Sequence, residues 1–291
     1  KPFLLKVGIG MRIALGVSYS GSSYNGWQSQ LSGNTIQDHL EKALAKVAGQ
    51  AIRTHCSGRT DTGVHALMQV AHFDTEIERP LHAWLGGANS HLPKDIAIDW
   101  VREVPDSFHC RSSAVSRRYS YILLQSAIRP SVQFQRMAWC YQELNYDALL
   151  NATQRLIGEH DFSSFRASQC QALSPIKNIS KIDIHQQITV NGVYWRFDFE
   201  ANAFLHHMIR NIMGTLVYVG AGRQPSEWVT EVLEAKNRKI AAPTFSADGL
   251  YFLGPCYEAK WQLPTKTNAF DWLPCPQSQF NRETNLILDS K

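Results

Sequence analysis

The sequence predicts an α+β fold with two similar halves, whose mainly antiparallel sheets join around a central cleft and carry helices on one face. Two patterns support this prediction. Helices follow pairs of strands instead of alternating with single strands, and the order of elements partly recurs after residue 146. With 291 residues, of which 44% are hydrophobic, the chain is long enough and apolar enough to form two packed units.

The predicted N-terminal half covers residues 11–126. Its apolar periodicity indicates, in order, a strand at 11–19, a helix at 35–48, strands at 51–56 and 68–75, a helix near 80–90, and strands at 96–103 and 113–124. Asn34 and Gly49 bracket the first helix as its predicted N-cap and C′ residues.

The predicted C-terminal half covers residues 127–264. It has a helix at 146–158, strands at 177–187 and 193–201, helices at 204–219 and 225–237, and a strand at 250–260. Residues 1–10 are predicted to be an extension outside the fold. Residues 265–291, rich in Pro, Asn, Thr and Gln, are predicted to be a tail.

Composition narrows the class of protein. The net charge of +4 is a mild excess that neither demands nor excludes a polyanionic partner. None of the six cysteines forms a C-x-x-C pair, so we expect reduced thiols in a cytoplasmic protein and no zinc knuckle. The apolar stretch 204–219 contains two His, an Arg and an Asn, which is not the pattern of a membrane span.

The segment Ser-Gly-Arg-Thr-Asp-Thr-Gly-Val-His-Ala, residues 57–66, lies between two predicted strands. Its glycines permit a tight connection that presents the carboxylate of Asp61 as a reactive group. The alternative is an Asx-turn, in which Asp61 caps nearby backbone amides. The segment alone does not distinguish these two interpretations.

The predicted helix 204–219 carries a polar stripe at His207, Arg210, Asn211 and Gly214. Arg210 is therefore either a surface residue or the partner of a carboxylate or phosphate. His206 and His207 would lie about 100° apart around a helix, so they are not expected to hold a metal ion together.

Arginine and tyrosine interleave in the predicted strand at 113–124. Arg117, Tyr119 and Tyr121 share one strand face, and Arg118 lies on the other. Guanidinium groups suit phosphates and aromatic rings suit bases, so the strand could contact nucleic acid. The alternative is an ordinary amphipathic strand. Arg166 is a further candidate contact.

Seven blocks of the chain, in order between residues 11 and 260, resemble the TruA family of tRNA pseudouridine synthases. They are Tyr-Ser-Gly-Ser-Ser-Tyr-Asn-Gly-Trp-Gln at 19–28, Gly-Arg-Thr-Asp-Thr-Gly-Val-His-Ala at 58–66, Gln-Val-Ala-His-Phe at 69–73, Arg-Arg-Tyr-Ser-Tyr at 117–121, His-Asp-Phe-Ser-Ser-Phe at 160–165, Phe-Leu-His-His-Met-Ile-Arg-Asn at 204–211 and Gly-Leu-Tyr at 249–251.

This resemblance implies isomerisation of uridine to pseudouridine at positions 38 to 40 of the tRNA anticodon stem-loop, without cofactor or metal, by a homodimer. It implies Asp61 as the nucleophile, with Arg210 favouring the ionised carboxylate. It also implies that Tyr119 stacks on the target base and transfers a proton at C5, and that Arg59 helps to hold the flipped nucleotide. The remaining implied contacts are an apolar pocket wall at Leu250 and phosphate contacts at Arg117, Arg118 and Arg166.

Two other functions remain open from the residues themselves. Asp61-Thr62-Gly63 is also the tripeptide of aspartic proteases, and a homodimer could supply the second copy that such an enzyme needs. A non-catalytic RNA-binding module could use the same arginines and aromatic rings without any role for the carboxylate.

Overall fold

The computed structural model describes residues 10–265, which contain ten strands and five α-helices. The strands are β1 Met11–Tyr19, β2 His55–Cys56, β3 His65–Thr75, β4 Ile96–Val104, β5 Ala114–Gln125, β6 Ala138–Cys140, β7 Gly158–Asp161, β8 Ile176–Thr189, β9 Gly192–Ala201 and β10 Leu250–Tyr257. The helices are α1 Ile36–Ala48, α2 Leu81–Asn89, α3 Tyr146–Gln154, α4 Met208–Gly220 and α5 Trp228–Ala235.

All ten strands belong to one sheet, with the order β4-β1-β3-β10-β5-β9-β8-β7, while β2 pairs with β3 and β6 pairs with β5. The pairs β3–β10 and β5–β6 are parallel, and the other pairs are antiparallel. The structure therefore confirms the predicted α+β class with mainly antiparallel strands.

The five helices cover one face of this sheet. Each contributes buried side chains to the main hydrophobic cluster, including Leu40, Trp84, Leu149, Ile212 and Val229 from α1 to α5. Alternate residues of the same strands form two smaller apolar clusters. Among residues 10–265, no helix is long and apolar enough to cross a membrane.

Strand β10 lies at the centre of the sheet and joins its two sides. Tyr251 and Phe252 pair in parallel with His65 and Ala66 of β3, and the other edge of β10 pairs with β5. The sheet is therefore continuous across the chain. The division into residues 11–126 and 127–264 stays a prediction, and the predicted extension and tail lie almost entirely outside the described residues.

Several element boundaries differ from the prediction. Of the predicted strand 51–56 only His55–Cys56 is a strand, and α4 begins at Met208 instead of residue 204. The N-cap of α1 is Thr35 and not Asn34, because the Thr35 hydroxyl accepts a hydrogen bond from the amide of Asp38. The predicted C′ residue Gly49 is confirmed, with φ of 73°.

A close backbone contact fixes the loop that follows β2. The amide of Trp27 donates to the carbonyl of Thr60 at 3.0 Å. Gly26 has φ of 82°, and a Cβ atom there would lie 2.6 Å from the Thr60 carbonyl oxygen. Both the conformation and the close approach therefore require glycine.

We expect Gly26→Ala to destabilise the protein by about 2–4 kcal/mol, since it adds a steric clash to the cost of a left-handed alanine. Gly33→Ala is the matched control: Gly33 has φ of 65° but nothing lies within 4 Å of its added Cβ. The control should cost only about 1–2 kcal/mol. Denaturant unfolding measures both changes, and equal losses would contradict the role of the close contact.

Candidate active site

The side chain of Gln69, fully buried in β3, anchors the start of the loop that carries Asp61. Its Oε1 accepts from the amide and hydroxyl of Ser57 at 3.2 and 2.7 Å, and its Nε2 donates to the Gly58 carbonyl. Further along, the hydroxyls of Thr60 and Tyr19 lie 2.8 Å apart. The backbone on the N-terminal side of Asp61 is thus held by buried polar contacts.

Three basic side chains near the start of α4 surround the Asp61 carboxylate. Oδ1 lies 3.1 Å from Nε2 of His206, and Oδ2 lies 3.5 Å from Nε2 of His207. Nη1 of Arg210 lies 3.7 Å from Oδ2, and its Nε donates to the Phe245 carbonyl at 3.0 Å. The carboxylate is therefore directed at a cluster of basic groups, which an Asx-turn would not require.

The polar stripe of α4 faces the protein interior. Arg210 is mostly buried beside Asp61, while Asn211 is fully buried and donates to the Phe165 carbonyl at 2.7 Å. A Cβ at Gly214 would lie 2.1 Å from the carbonyl oxygen of Pro243. The stripe is polar because it meets backbone carbonyls and a carboxylate.

The predicted placement of His206 and His207 about 100° apart around a helix is wrong, because neither residue lies within α4. His207 is the N-cap residue of α4 and has a left-handed backbone with φ of 61°, which is uncommon for a non-glycine residue. The two imidazole centroids lie 4.1 Å apart, and both rings reach the same carboxylate. The two consecutive histidines beside Arg210 were the sequence signal for this cluster. The assumption that both lie in a helix led to the expectation that they would not contact the same group.

The surroundings adjust the charge state of the cluster. Burial alone would raise the pKa of Asp61, but the His206 hydrogen bond and the charges of His207, His206 and Arg210 lower it below its usual value. The hydrogen bond to Asp61 raises the pKa of His206, whereas burial lowers that of His207. Asp61 is therefore ionised at neutral pH, with His206 as its closest proton-bearing partner.

Tyr119 and Leu250 both lie in the core of the sheet. The Tyr119 ring packs against Phe204 at a centroid distance of 5.1 Å and against Phe252 at 4.8 Å. Burial raises the pKa of Tyr119 far above its usual value, with a further increase from the Asp61 charge, so its hydroxyl stays protonated. Leu250 begins β10 and is 5% exposed.

Arg59 and Arg166 both contact the segment 167–172. Nη1 of the exposed Arg59 donates to Oε1 of Gln171 at 3.1 Å. Nη2 of Arg166 donates to the carbonyls of Cys170 and Ala172, both at 2.7 Å. Arg59 therefore lies at the surface close to Asp61, and the guanidinium of Arg166 holds the backbone of the segment 167–172.

Arg117 and Arg118 lie on opposite faces of β5, as the alternation predicts. The guanidinium of Arg117 donates to the carbonyls of Asn202 at 2.9 Å and Arg111 at 2.5 Å, so it ties the start of β5 to two neighbouring segments. Nε of Arg118 is buried and has no hydrogen-bond partner among residues 10–265. Contact of either residue with RNA stays a prediction.

Within the described chain, two side-chain groups bring possible metal ligands within 4.8 Å of one another: Asp61 with His206 and His207, and His72 with His109 and Cys110. In the second group, Nδ1 of His72 accepts from the amide of Cys110 at 3.3 Å. Nδ1 of His109 likewise accepts from the amide of Arg111 at 3.2 Å. The Nε2 atoms of both neutral rings then carry hydrogens, which does not suit metal ligation.

Comparison with known proteins defines the class to which this fold and site belong. Residues 16–112 and 152–258 match the family model described as tRNA pseudouridine synthase. The match includes Asp61, both histidines and Arg210. The protein is therefore an RNA-modifying isomerase.

The chain belongs to the tRNA pseudouridine synthase family. It is 60% identical over 264 residues to tRNA pseudouridine synthase A of Polaromonas naphthalenivorans strain CJ2 and equally to that of Polaromonas sp. strain JS666, covering 91% of this chain and 100% of each relative. It is 59% identical, with the same coverage, to the enzyme of that name from Albidiferax ferrireducens. This membership favours the isomerase over both the aspartic protease and the non-catalytic RNA-binding module.

We expect the His206 imidazole to titrate at lower pH in Asp61→Asn than in the wild-type protein, because the substitution removes the negative charge and leaves the effect of burial. NMR titration of the ring resonances measures the change. Asp74→Asn, which removes the carboxylate paired with Arg12 at 2.6 Å, is the matched control and should leave His206 unaffected. An unaltered His206 titration in Asp61→Asn would contradict the contact.

The same contact makes stability depend on pH. Since the pKa of His206 is higher in the folded than in the unfolded chain, its stabilising contribution is complete below pH about 6.5 and is lost as pH rises through the folded-state pKa. Denaturant unfolding across this range should therefore show a contribution that His206→Gln removes. The same pH dependence in the variant would assign it to other groups.

Proposed function

We propose that this protein converts uridine to pseudouridine at positions 38 to 40 of the tRNA anticodon stem-loop, with Asp61 as the nucleophile. The observation that supports this proposal is an ionised carboxylate held against three basic groups in a chain of this family. The names of the relatives give tRNA as the substrate class. The positions within tRNA come from the resemblance of the seven sequence blocks.

The reaction needs a nucleophile that can add to the nucleotide and then leave. The N1–C1′ bond breaks, the base turns, and a C5–C1′ bond forms, while C5 loses a proton and N1 gains one, so no atom is lost overall. An Asp61 carboxylate with a lowered pKa is unprotonated at neutral pH and can form a covalent intermediate without a separate base. A low pKa also makes it a good leaving group.

The neighbouring residues can divide the other tasks. Tyr119 lies on β5, the strand beside β10, and its neutral hydroxyl can relay the C5 proton: the oxygen accepts that proton while the O–H proton passes to solvent. Leu250 supplies an apolar wall on the adjacent strand.

Arg59, exposed two residues before Asp61, can enter the space left when the target uridine leaves its stack, at a cost of a few kcal/mol. Arg117, Arg118 and Arg166 stay candidate phosphate contacts.

We further propose that the enzyme acts as a homodimer in the cytoplasm. A dimer would present two basic surfaces to one tRNA, which would help a chain with a net charge of only +4 to bind a large polyanion. Cysteines without disulfide partners in the described chain, including Cys56 and Cys170, are consistent with a reducing compartment.

Pseudouridine mapping tests the proposed activity and its position. A tRNA transcript with uridines at positions 38, 39 and 40 should gain pseudouridine there after incubation with the wild-type enzyme and no added cofactor. The matched control is the same transcript with cytidine at those three positions, which should stay unmodified. Modification elsewhere would reject the proposed site, and no modification would reject the activity.

Arg210→Lys should lower the single-turnover rate roughly tenfold or more with little change in tRNA affinity, because one ammonium group cannot reproduce the contacts with both Asp61 and the Phe245 carbonyl. Arg223→Lys is the matched control, since Arg223 is exposed and lies over the Tyr218 ring at 5.0 Å. An Arg210→Lys enzyme with the wild-type rate would contradict this role.

A further inference from the structure

A cavity of about 460 Å³ is lined in part by Arg59 but not by Asp61, and it has no part in the chemistry described above. Three arginines line it, Arg53, Arg59 and Arg111, together with the imidazoles of His55 and His109. The cavity is formed where β2, the Asp61 loop and the segment before β5 come together. Its volume is sufficient for a phosphate group and part of a nucleotide.

No carboxylate is among the described residues that line this cavity. One of these arginines is paired with an acid: Oε2 of Glu41 lies 3.2 Å from Nη1 of Arg53. The other oxygen of Glu41 accepts from the amide and hydroxyl of Thr54 at 2.8 and 3.0 Å. Glu41 therefore offsets part of the charge of Arg53, whereas Arg59 and Arg111 form no ion pair with a carboxylate of residues 10–265.

The titration of neighbouring groups is consistent with this excess of positive charge. Burial raises the pKa of Cys56 to about 11, although the charges of Arg59 and Arg111 act to lower it. Burial also lowers the pKa of His109, and the charges of His55, Arg12 and Arg111 lower it further. The basic groups thus repel one another around Cys56 and His109, and a bound anion would relieve this repulsion.

The walls of the cavity are fixed by backbone contacts that alanine substitutions at Arg53 and Arg111 would retain. The Arg111 carbonyl accepts from Arg117 at 2.5 Å, and the Arg111 amide donates to Nδ1 of His109. Arg117 also reaches the Ser57 carbonyl at 3.5 Å, which links the segment before β5 to the Asp61 loop. The side chains of Arg53 and Arg111 are exposed and therefore accessible to a ligand.

We propose that this cavity binds one backbone phosphate of the tRNA, close to the target uridine, through Arg53 and Arg111. This inference rests on the proposed function, since it assumes that tRNA is bound with its target uridine at Asp61. Arg59 lines the cavity and precedes Asp61 by two residues, so a nucleotide near the target is the one within reach. A charge-assisted, bidentate contact with guanidinium groups suits a phosphodiester.

The first test compares Arg53→Ala and Arg111→Ala with Arg102→Ala, an exposed arginine on β4 at the edge of the sheet. Each cavity substitution should raise KM for tRNA roughly tenfold, leave kcat within about twofold, and reduce the salt dependence of binding by about one charge. The control should change none of these quantities. Cavity variants that behave like the control would overturn the proposal, while pseudouridine formation by the wild type would leave the proposed function intact.

A second test locates the phosphate. Neutral methylphosphonate linkages are placed one at a time around the target uridine, and binding is measured with the wild type and Arg111→Ala. At one linkage the wild type should lose about tenfold in affinity. The variant should show no further loss there, because its contact with that phosphate is already absent. Equal losses for both proteins at every linkage would overturn the proposal.

Free anions provide the remaining comparison, since the same guanidinium groups could bind inorganic phosphate or a mononucleotide. Both are added at millimolar concentration to the pseudouridylation reaction. The proposal expects at most weak competition with tRNA. Strong inhibition that Arg111→Ala relieves, with no linkage-specific effect in the wild type, would assign the cavity to a free anion and overturn the proposal.

Discussion

The contact between the Asp61 carboxylate and the basic groups before α4 is the constraint on which the site depends. It joins a loop between β2 and β3 to the segment His206–Arg210, which lies almost 150 residues later in the chain. Strand β10 brings these segments together, because it pairs with β3 on one edge and with β5 on the other. Asp61 and the basic groups therefore meet through the central strands β3, β10, β5 and β9 of the sheet.

Burial of the carboxylate by itself would favour the protonated form, which cannot act as a nucleophile. His206 donates directly to the carboxylate, and Arg210 is held beside it by the Phe245 carbonyl, so the charged form prevails. The left-handed backbone of His207 is a strained conformation that accompanies this arrangement. It allows two consecutive imidazoles to face one carboxylate. Backbone strain at His207 thus accompanies stabilisation of the charge on Asp61.

Local pattern predicted much of the fold, including the limits of β1 and the left-handed Gly49 after α1, because periodicity and capping are short-range effects. The helix predicted at 204–219 begins four residues later, at Met208. Apolar periodicity does not register the contacts of His206 and His207 with Asp61, which is distant in the sequence. The order of the central strands was equally inaccessible. The parallel pairing of β10 with β3 depends on contacts between distant segments, which no window of sequence contains.

We propose that Asp61 carries the chemistry while its neighbours hold it ionised. The most direct test is single-turnover pseudouridine formation with saturating Asp61→Asn enzyme, with tRNA affinity measured in parallel. We expect no product above background and an affinity within a few-fold of the wild type, because the amide keeps the shape of the side chain and loses the nucleophile. Pseudouridine formation by Asp61→Asn at a rate near that of the wild type would contradict the role of Asp61 as nucleophile.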